Sequence, residues 1–246
     1  MPKTPGRAVP RNRTRSRVLL KISGEGLSGS GDDRYDAAAI RTLARELVSL
    51  ARDRVEAAVV VGGGNLVRGR DLPGDLVERT AADAAGMLAT IANALVLAAA
   101  VRAAGGKARV LTSVPMPDVA ETFTADRARA CLAAGETVLV GGGTGRPYFT
   151  TDTAAALRAL EVGAGVLLKA TKVDGVYDRD PRKHPGAKRF TRLTYAEAIR
   201  RRLKVMDRTA FTLCEENALP IVVFALRPAG NLARAAAGEA VGTRIG

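Results

Sequence analysis

The chain has 246 residues, of which 47% are apolar, 26% charged and 4% aromatic. That length suffices for one large α/β domain or two small ones with a sizeable core, and the composition argues against a disordered chain. The formal net charge of +13 suggests nucleic acid, but the few aromatic residues disfavour a stacking platform for single strands.

Basic charge is concentrated at the N-terminus. Residues 1–17 hold six of the 38 basic residues and no acid. The rest of the chain has 32 basic and 25 acidic residues, a net +7, which suits an enzyme with phosphorylated ligands. We expect residues 1–16 to form a disordered basic tail before a single domain, 17–246. The tail lacks the apolar segment of a secretory signal.

Cysteine and histidine usage restricts the possible chemistry. Cys131 and Cys214 are far apart and form no C-x-x-C motif, so we expect a reducing cytoplasm. His184 is the only histidine, which excludes a multi-histidine metal site and leaves a Ser-His-Asp triad without a supporting motif. Polar residues interrupt the apolar segment 86–106, so we interpret it as a buried helix and not a membrane span.

The first part of the chain alternates strands with helices. Segment 17–23 is too continuously apolar for a half-exposed strand, and Asp36 can cap a helix whose apolar residues share one face. A second strand, 55–64, ends in glycines. An alanine-rich helix over about 78–104 follows it, and then a strand over 107–113.

The same alternation continues to the C-terminus, except for one charged loop. In order, we predict a short helix from Thr124 to near Gly135, strand 136–143, helix 150–163, strand 164–170, a loop or hairpin over 171–193, a helix opened by the Thr194–Glu197 capping box, a helix from about Asp207 to Asn217 and a core strand over 219–226. This rhythm predicts an α/β fold with a mostly parallel sheet covered by helices.

Three glycine-rich turns follow predicted strands: KISGEG (21–26), VVVGGGNLVRG (59–69) and VLVGGGTGRPYFTTD (138–152). Because ligands bind beyond the carboxyl ends of parallel strands, the turns point to one edge of the sheet. Glycine there lets backbone N–H groups approach an anion. A single run is more simply a tight turn, but three favour a polyphosphate site. None matches the P-loop pattern or a dinucleotide-binding fingerprint in its proper setting.

Cations must offset such phosphates. Lys21 ends an apolar strand, Arg68 follows the second glycine run, and Lys169 and Lys172 flank the end of strand 164–170. Each lysine taken alone is more often a solvated surface charge, but Lys21 is less ordinary because it ends an apolar strand and Ser-Gly follows it at once. Asp152 can simply cap its helix, or it can hold two lysines in position.

Six segments together resemble one family: KISGEGL, VVVGGGNLVRG, DAAGMLATIAN, GGGTGRPYFTTDTAA, LLKATKVDGVYDRDP and LKVMDRTAFTLCEENALPIVVF. They are similar to the bacterial uridylate kinases of the amino-acid-kinase superfamily, which are not P-loop kinases. The resemblance runs from about residue 17 to the C-terminus, and the combination of KATKVDGVY with GTGRPYFTTD is its most specific part. The basic tail lies outside it.

The resemblance implies an amino-acid-kinase-like fold, a three-layer αβα sandwich with a mostly parallel central sheet. It implies reversible transfer of the ATP γ-phosphoryl group to UMP, giving UDP and ADP, in pyrimidine nucleotide (CTP) biosynthesis. Mg²⁺ would arrive with ATP, with Asp174 and Asp180 as possible helpers and no dedicated metal site. The resemblance also implies a cytoplasmic, allosteric homohexamer. The helix over 78–104 is apolar beyond one face and is a candidate interface, although a central core helix would have the same pattern.

Site residues follow from the resemblance by motif position. ATP-binding positions are Lys21, Ile22, Ser23, Gly24, Gly64, Arg68, Thr171, Tyr177 and Asp180. UMP-binding positions are Gly63, Asp83, Thr144, Gly145, Arg146, Pro147, Tyr148, Phe149, Thr150 and Thr151. The catalytic set is Lys21, Asp152 and Lys172, in which the lysines would neutralise charge on the transferred group and Asp152 would orient them.

The sequence departs from the family pattern in four places. Arg146 stands where asparagine is common, and Tyr148 where phenylalanine is common. The segment 29–34 reads GSGDDR, which adds acids to a stretch associated with GTP activation, and Asp83-Ala84 replaces a common Asp-His pair. Activation by GTP and inhibition by UTP are therefore left open, as is the role of Arg146.

Three alternative functions are also compatible with the sequence. The same fold could serve an amino-acid or small-phosphate kinase, which the GTGRPYFTTD segment disfavours. It could serve a non-enzymatic storage protein, for which the combination of Lys21, Asp152 and Lys172 would be unnecessary. The basic tail could bind nucleic acid, with an affinity that falls steeply with salt, alongside kinase activity.

Overall fold

A computed structural model describes residues 16–28, 33–203 and 205–246. Its strands are β1 (Arg17–Ile22), β2 (Glu56–Val61), β3 (Ala108–Thr112), β4 (Glu121–Thr122), β5 (Thr137–Gly141), β6 (Val166–Thr171), β7 (Arg192–Leu193), β8 (Ile221–Ala225) and β9 (Thr243–Ile245). Its helices are α1 (Ala37–Arg52), α2 (Arg79–Ala103), α3 (Ala125–Ala133), α4 (Thr151–Val162), α5 (Tyr195–Arg200), α6 (Arg208–Glu216) and α7 (Asn231–Ala236).

The described strands form one sheet in the order β4-β3-β5-β2-β1-β6-β8-β9-β7. All neighbouring pairs are parallel except β8 and β9. The central strands are buried on both faces, which explains their continuous apolar runs: Leu19 and Leu20, on opposite faces of β1, are both 0% exposed.

Helices cover both faces of the sheet. Residues of α1, α2 and α7 pack on one face, and residues of α3, α4, α5 and α6 on the other. The expected three-layer αβα sandwich with a mostly parallel sheet is therefore confirmed. The division of the chain into one catalytic domain and a basic tail stays a prediction, because residues 1–15 lie outside the described part of the chain. The same holds for most of the GSGDDR segment, since residues 29–32 are not described.

Local capping chemistry sets the helix starts. The side chains of Asp36, Thr124, Thr194 and Asp207 each accept a backbone hydrogen bond from the first turn of their helices, and Thr194 with Glu197 forms the expected capping box. In α4 the cap is Thr150, which accepts from the backbone N–H groups of Asp152 and Thr153. The carboxylate of Asp152 is therefore available for another role.

By length and composition alone, helix α2 is long and apolar enough to cross a membrane. One face of the helix nevertheless packs in the core with α1 and the sheet. Its residues Ala94, Leu97, Ala98 and Val101 are 0% exposed. One face of α2 is therefore buried in the core, as expected, while the opposite face is at least partly exposed.

Among the described strands and α-helices, four short elements were not predicted: β4, β7, β9 and α7. The three strands have only two or three residues, too few for a hydrophobic period. Gly242 permits the turn into β9, because a Cβ there would lie 2.0 Å from the carbonyl oxygen of Val223.

Candidate active site

The carboxyl ends of four central strands form the edge on which the predicted site residues lie. Strands β5, β2, β1 and β6 are adjacent and parallel, so the glycine turns after β1, β2 and β5 lie along the same edge. Helix α4 begins there, ten residues after the end of β5. The first glycine turn lies close against the second, because a Cβ at Gly24 would come within 2.3 Å of Asn65 and 2.9 Å of the Gly64 nitrogen.

A buried charge cluster lies at this edge. Lys21 of β1 and Lys169 of β6 are register partners on neighbouring parallel strands, and both point to the face covered by α4. The Nζ of Lys21 lies 2.8 Å from Asp152 Oδ1, and the Nζ of Lys169 lies 2.6 Å from Asp152 Oδ2. Lys169 also donates to the carbonyl oxygen of Val205. One carboxylate therefore positions two ammonium groups.

The electrostatics of the cluster follow from burial and proximity. Burial raises the pKa of Asp152, but the attraction of Lys21 and Lys169 outweighs it, so this pKa lies below its ordinary value. Burial lowers the pKa of Lys169, and Asp152 opposes this shift only in part. With both lysines charged, the cluster carries a net positive charge in a poorly solvated place. It is suited to stabilising an anion that develops beside it.

The expected pairing of Asp152 with Lys172 was wrong, because Lys169 occupies that position. Lys172 follows the last residue of β6, its side chain is 62% exposed, and its Nζ lies 2.7 Å from Glu25 Oε2. The other oxygen of Glu25 accepts from Arg68. Strand alternation accounts for the difference: Lys169 points inward opposite Lys21, whereas Lys172 has left the sheet.

Residues of the expected UMP wall line a cavity of about 140 Å³. Gly63, Asp83, Thr144, Arg146, Phe149, Thr150 and Thr151 line it, together with residues such as Met87, Thr90 and Gly143. Gly145, Pro147 and Tyr148 do not line it. Asp83 shapes this wall, since its Oδ2 accepts from the backbone N–H of Tyr148 at 2.7 Å. Arg146 is exposed at the cavity edge.

Several expected ATP-binding residues line a second cavity, of about 290 Å³. Ile22, Ser23 and Thr171 contribute to it, with Glu25 and Lys172 beside them. Tyr177 and Asp180 lie in the following loop, outside its lining. The Tyr177 hydroxyl donates to Asp174, and Asp180 accepts from the backbone of Arg182. Arg68 lies back against the glycine turn, where its Nε donates a hydrogen bond to the Gly64 carbonyl oxygen at 2.8 Å.

Asp207 joins two helix starts and was not predicted as a site residue. Its Oδ1 caps α6 through the N–H of Ala210, and its Oδ2 accepts from the hydroxyls of Thr150 and Thr153 at the start of α4. A cavity of about 940 Å³ adjoins this junction, and its lining includes Asp152, Lys169 and Met206. The sequence signal for Asp207 was its cap position, which by itself indicates only a helix start.

No preformed metal centre occurs within the described ranges, where no three histidine, cysteine, aspartate or glutamate side chains could hold one ion. Both oxygens of Asp152 already face ammonium groups, so it is not a free metal ligand. Asp174 is bound to Tyr177 and Arg189.

Comparison with known proteins agrees with this architecture. The model of the amino acid kinase family matches residues 16–225. A uridylate kinase of Bradyrhizobium sp. is 49% identical to this chain over 93% of this chain and 96% of the relative. The chloroplastic uridylate kinase PUMPKIN of Arabidopsis thaliana is 48% identical over 94% of this chain and 68% of the relative. The UMP kinase structure from Bacillus anthracis superposes with a TM-score of 0.89 at 36% identity, covering 94% and 95% of the two chains. The structure of uridylate kinase from Archaeoglobus fulgidus superposes with a TM-score of 0.72 at 29% identity, and the match covers 93% of this chain and 99% of that one.

The chain belongs to the amino acid kinase family, and within it to the uridylate kinases. The family resemblance found in the sequence is thereby confirmed.

Proposed function

We propose that this protein transfers the γ-phosphoryl group of ATP to UMP, giving UDP and ADP, in the synthesis of pyrimidine nucleotides. The observation that carries the proposal is the buried Lys21–Asp152–Lys169 cluster. The cavity of the expected UMP wall includes Thr151, the neighbour of Asp152 in sequence, and the cavity of the expected ATP site includes Ile22, the neighbour of Lys21. The names of the relatives support UMP as the acceptor.

In this proposal the chain supplies alignment and charge, which are the main requirements of phosphoryl transfer. Lys21 and Lys169 offset the negative charge on the transferred group, and Asp152 fixes the direction of both ammonium groups. Lys21, Ile22, Ser23, Gly24, Gly64, Arg68, Thr171, Tyr177 and Asp180 bind ATP. Gly63, Asp83 and residues 144–151 bind UMP. Arg68 and Lys172 both pair with Glu25, so we expect the phosphates of ATP to compete with that carboxylate for these two cations.

Mg²⁺ would accompany ATP. The protein groups fit a metal that brings most of its ligands with it, because Asp152 already binds two lysines and Asp174 binds Tyr177 and Arg189. When bound, Mg²⁺ neutralises phosphate charge during transfer. We further propose a cytoplasmic homohexamer whose activity is subject to allosteric control.

A kinase assay over a panel of nucleotides tests the proposal. With Mg-ATP we expect UMP to be phosphorylated faster than CMP, AMP or GMP, and runs with GTP and with UTP test allosteric control. Equal or faster turnover of another acceptor would remove the substrate assignment, and nucleotide binding without turnover would favour a storage protein.

Lys21→Ala tests the cluster in the same assay. We expect a folded variant that has lost most of kcat, by about 10²- to 10³-fold, the usual effect of removing one transition-state donor. An unchanged kcat in a variant with a native circular dichroism spectrum would contradict the catalytic assignment.

A further inference from the structure

Arg158 is a buried cation outside the proposed reaction centre. It lies on α4 and is 6% exposed, and its guanidinium carbon lies 4.2 Å from the centre of the Phe123 ring. Its Nη1 donates to Glu161, and its Nη2 donates to Ser113 Oγ at 2.9 Å. Arginine keeps its charge in proteins and is costly to bury, so the position of Arg158 depends on the partners that its guanidinium group meets.

The contact with Ser113 has a direction. A guanidinium group only donates hydrogen bonds, so Ser113 Oγ must accept from Arg158. The hydroxyl hydrogen is then available to another acceptor, and Ser113 Oγ lies 2.8 Å from the carbonyl oxygen of Gly143. A chain of two directed hydrogen bonds thus runs from α4 through the residue after β3 to the glycine loop after β5.

The glycine loop is fitted closely to Ser113. The Ser113 N–H donates to the Gly141 carbonyl oxygen at 3.0 Å, and a Cβ at Gly145 would lie 2.8 Å from the Ser113 carbonyl oxygen. Gly142 and Gly145 have φ of +80° and +77°, which only glycine adopts readily. Gly143 lines the cavity of the expected UMP wall, whereas Arg158 does not.

We propose that Arg158 is a positioning residue for the acceptor nucleotide. It orients the Ser113 hydroxyl, which holds the Gly143 carbonyl and with it the loop that forms the wall of the acceptor cavity. This inference rests on the proposed UMP kinase function. It assigns Arg158 and Ser113 to the binding of the nucleoside monophosphate, and to neither ATP binding nor the phosphoryl transfer step.

Four variants test the relay: Ser113→Ala, Arg158→Met, their combination, and Glu161→Gln as the matched control. We expect each of the first two to raise KM for UMP by about fivefold, the usual effect of one lost hydrogen bond, with KM for ATP and kcat little changed. The double variant should resemble either single variant, because both interrupt one chain. Glu161→Gln alters another partner of Arg158 and should leave KM for UMP within about twofold of wild type.

Different outcomes separate the relay from a merely structural role. An unchanged KM for UMP in Ser113→Ala, independent effects that multiply in the double variant, or equal rises in KM for both nucleotides would each overturn the proposal. Ser113→Ala retains the contacts of Arg158 with Phe123 and Glu161, so it decides the matter even where Arg158→Met does not fold. A wild-type protein that does not phosphorylate UMP would contradict the proposed function, whereas an active wild type with an unaltered Ser113→Ala variant would overturn the relay alone.

Discussion

At the scale of single residues, two lysines three positions apart have different surroundings. Lys169 lies on a strand of the sheet, and its Nζ is 2.6 Å from Asp152 Oδ2. Its pKa is lowered, mainly because the side chain is buried. Lys172 is instead exposed beside Glu25. Both residues belong to the same LLKATK motif, and in sequence either could flank a phosphate. Only the inward-pointing lysine shares a carboxylate with Lys21.

Replacing each lysine by methionine measures this difference. We expect Lys169→Met to lower kcat by about 10²-fold or more, because it removes a fixed charge beside the transferred group. Lys172→Met should mainly raise KM for ATP and change kcat by less than about threefold, since an exposed ion pair contributes little. Steady-state kinetics with Mg-ATP and UMP provide the comparison, and an equal loss of kcat in both variants would restore the catalytic role first assigned to Lys172.

At the scale of elements, the starts of α4 and α6 are linked through one side chain. Asp207 caps α6 and also accepts from Thr150, which caps α4, and from Thr153. The helix that carries Asp152 is therefore held by the helix that begins at Arg208. This junction fixes the carboxylate on which the two buried lysines depend.

Asp207→Asn weakens the junction while keeping a good helix cap. We expect it to destabilise the protein by about 1–2 kcal/mol, or a few degrees in the melting temperature, because it removes a charged acceptor shared by two hydroxyls. Asp36→Asn is the matched control, since within the described ranges the Asp36 side chain accepts hydrogen bonds only from the first turn of its own helix. It should melt within about 1 °C of wild type. Differential scanning calorimetry measures both, and equal melting temperatures for the two variants would contradict the junction.

At the scale of the whole molecule, α2 has an apolar outer face in addition to its buried one. Ala84, Leu88, Ala92, Leu95 and Ala99 recur every three or four residues, and each is at least partly exposed. The side chain of Leu88 is half exposed. An apolar stripe of this length on a surface helix is typical of a subunit interface, which is consistent with the proposed homohexamer.

Leu88→Lys should lower the mass measured by light scattering after gel filtration, because a lysine ammonium would be desolvated in the interface. Leu76→Lys changes a more exposed leucine outside α2 and should leave the mass of the wild-type oligomer unchanged. A monomeric wild-type protein would contradict the hexamer, and a Leu88→Lys variant that remains hexameric would remove the outer face of α2 from the interface.

The sequence alone was sufficient for the layered architecture and for the edge that carries the site. Continuous apolar strands, cap residues and glycine runs are local signals, and they correctly gave six central strands, the helices between them and the caps at Asp36, Thr124 and Thr194. The family resemblance also came from contiguous motifs. Two- and three-residue strands such as β4 and β9 carry no such signal, because pairing partners distant in sequence define them.

Only the tertiary structure decided which charges meet. Lys169 joins Asp152 because β6 pairs with β1 in a register that sets it beside Lys21, and sequence spacing does not encode that register. Two other links also join distant segments: Asp207 and Thr153 are 54 residues apart, and Arg158 and Ser113 are 45 residues apart. Such links leave no local pattern in the sequence. The chain thus specifies by itself where its turns and caps lie, whereas pairing between distant segments decides which side chains those turns bring together.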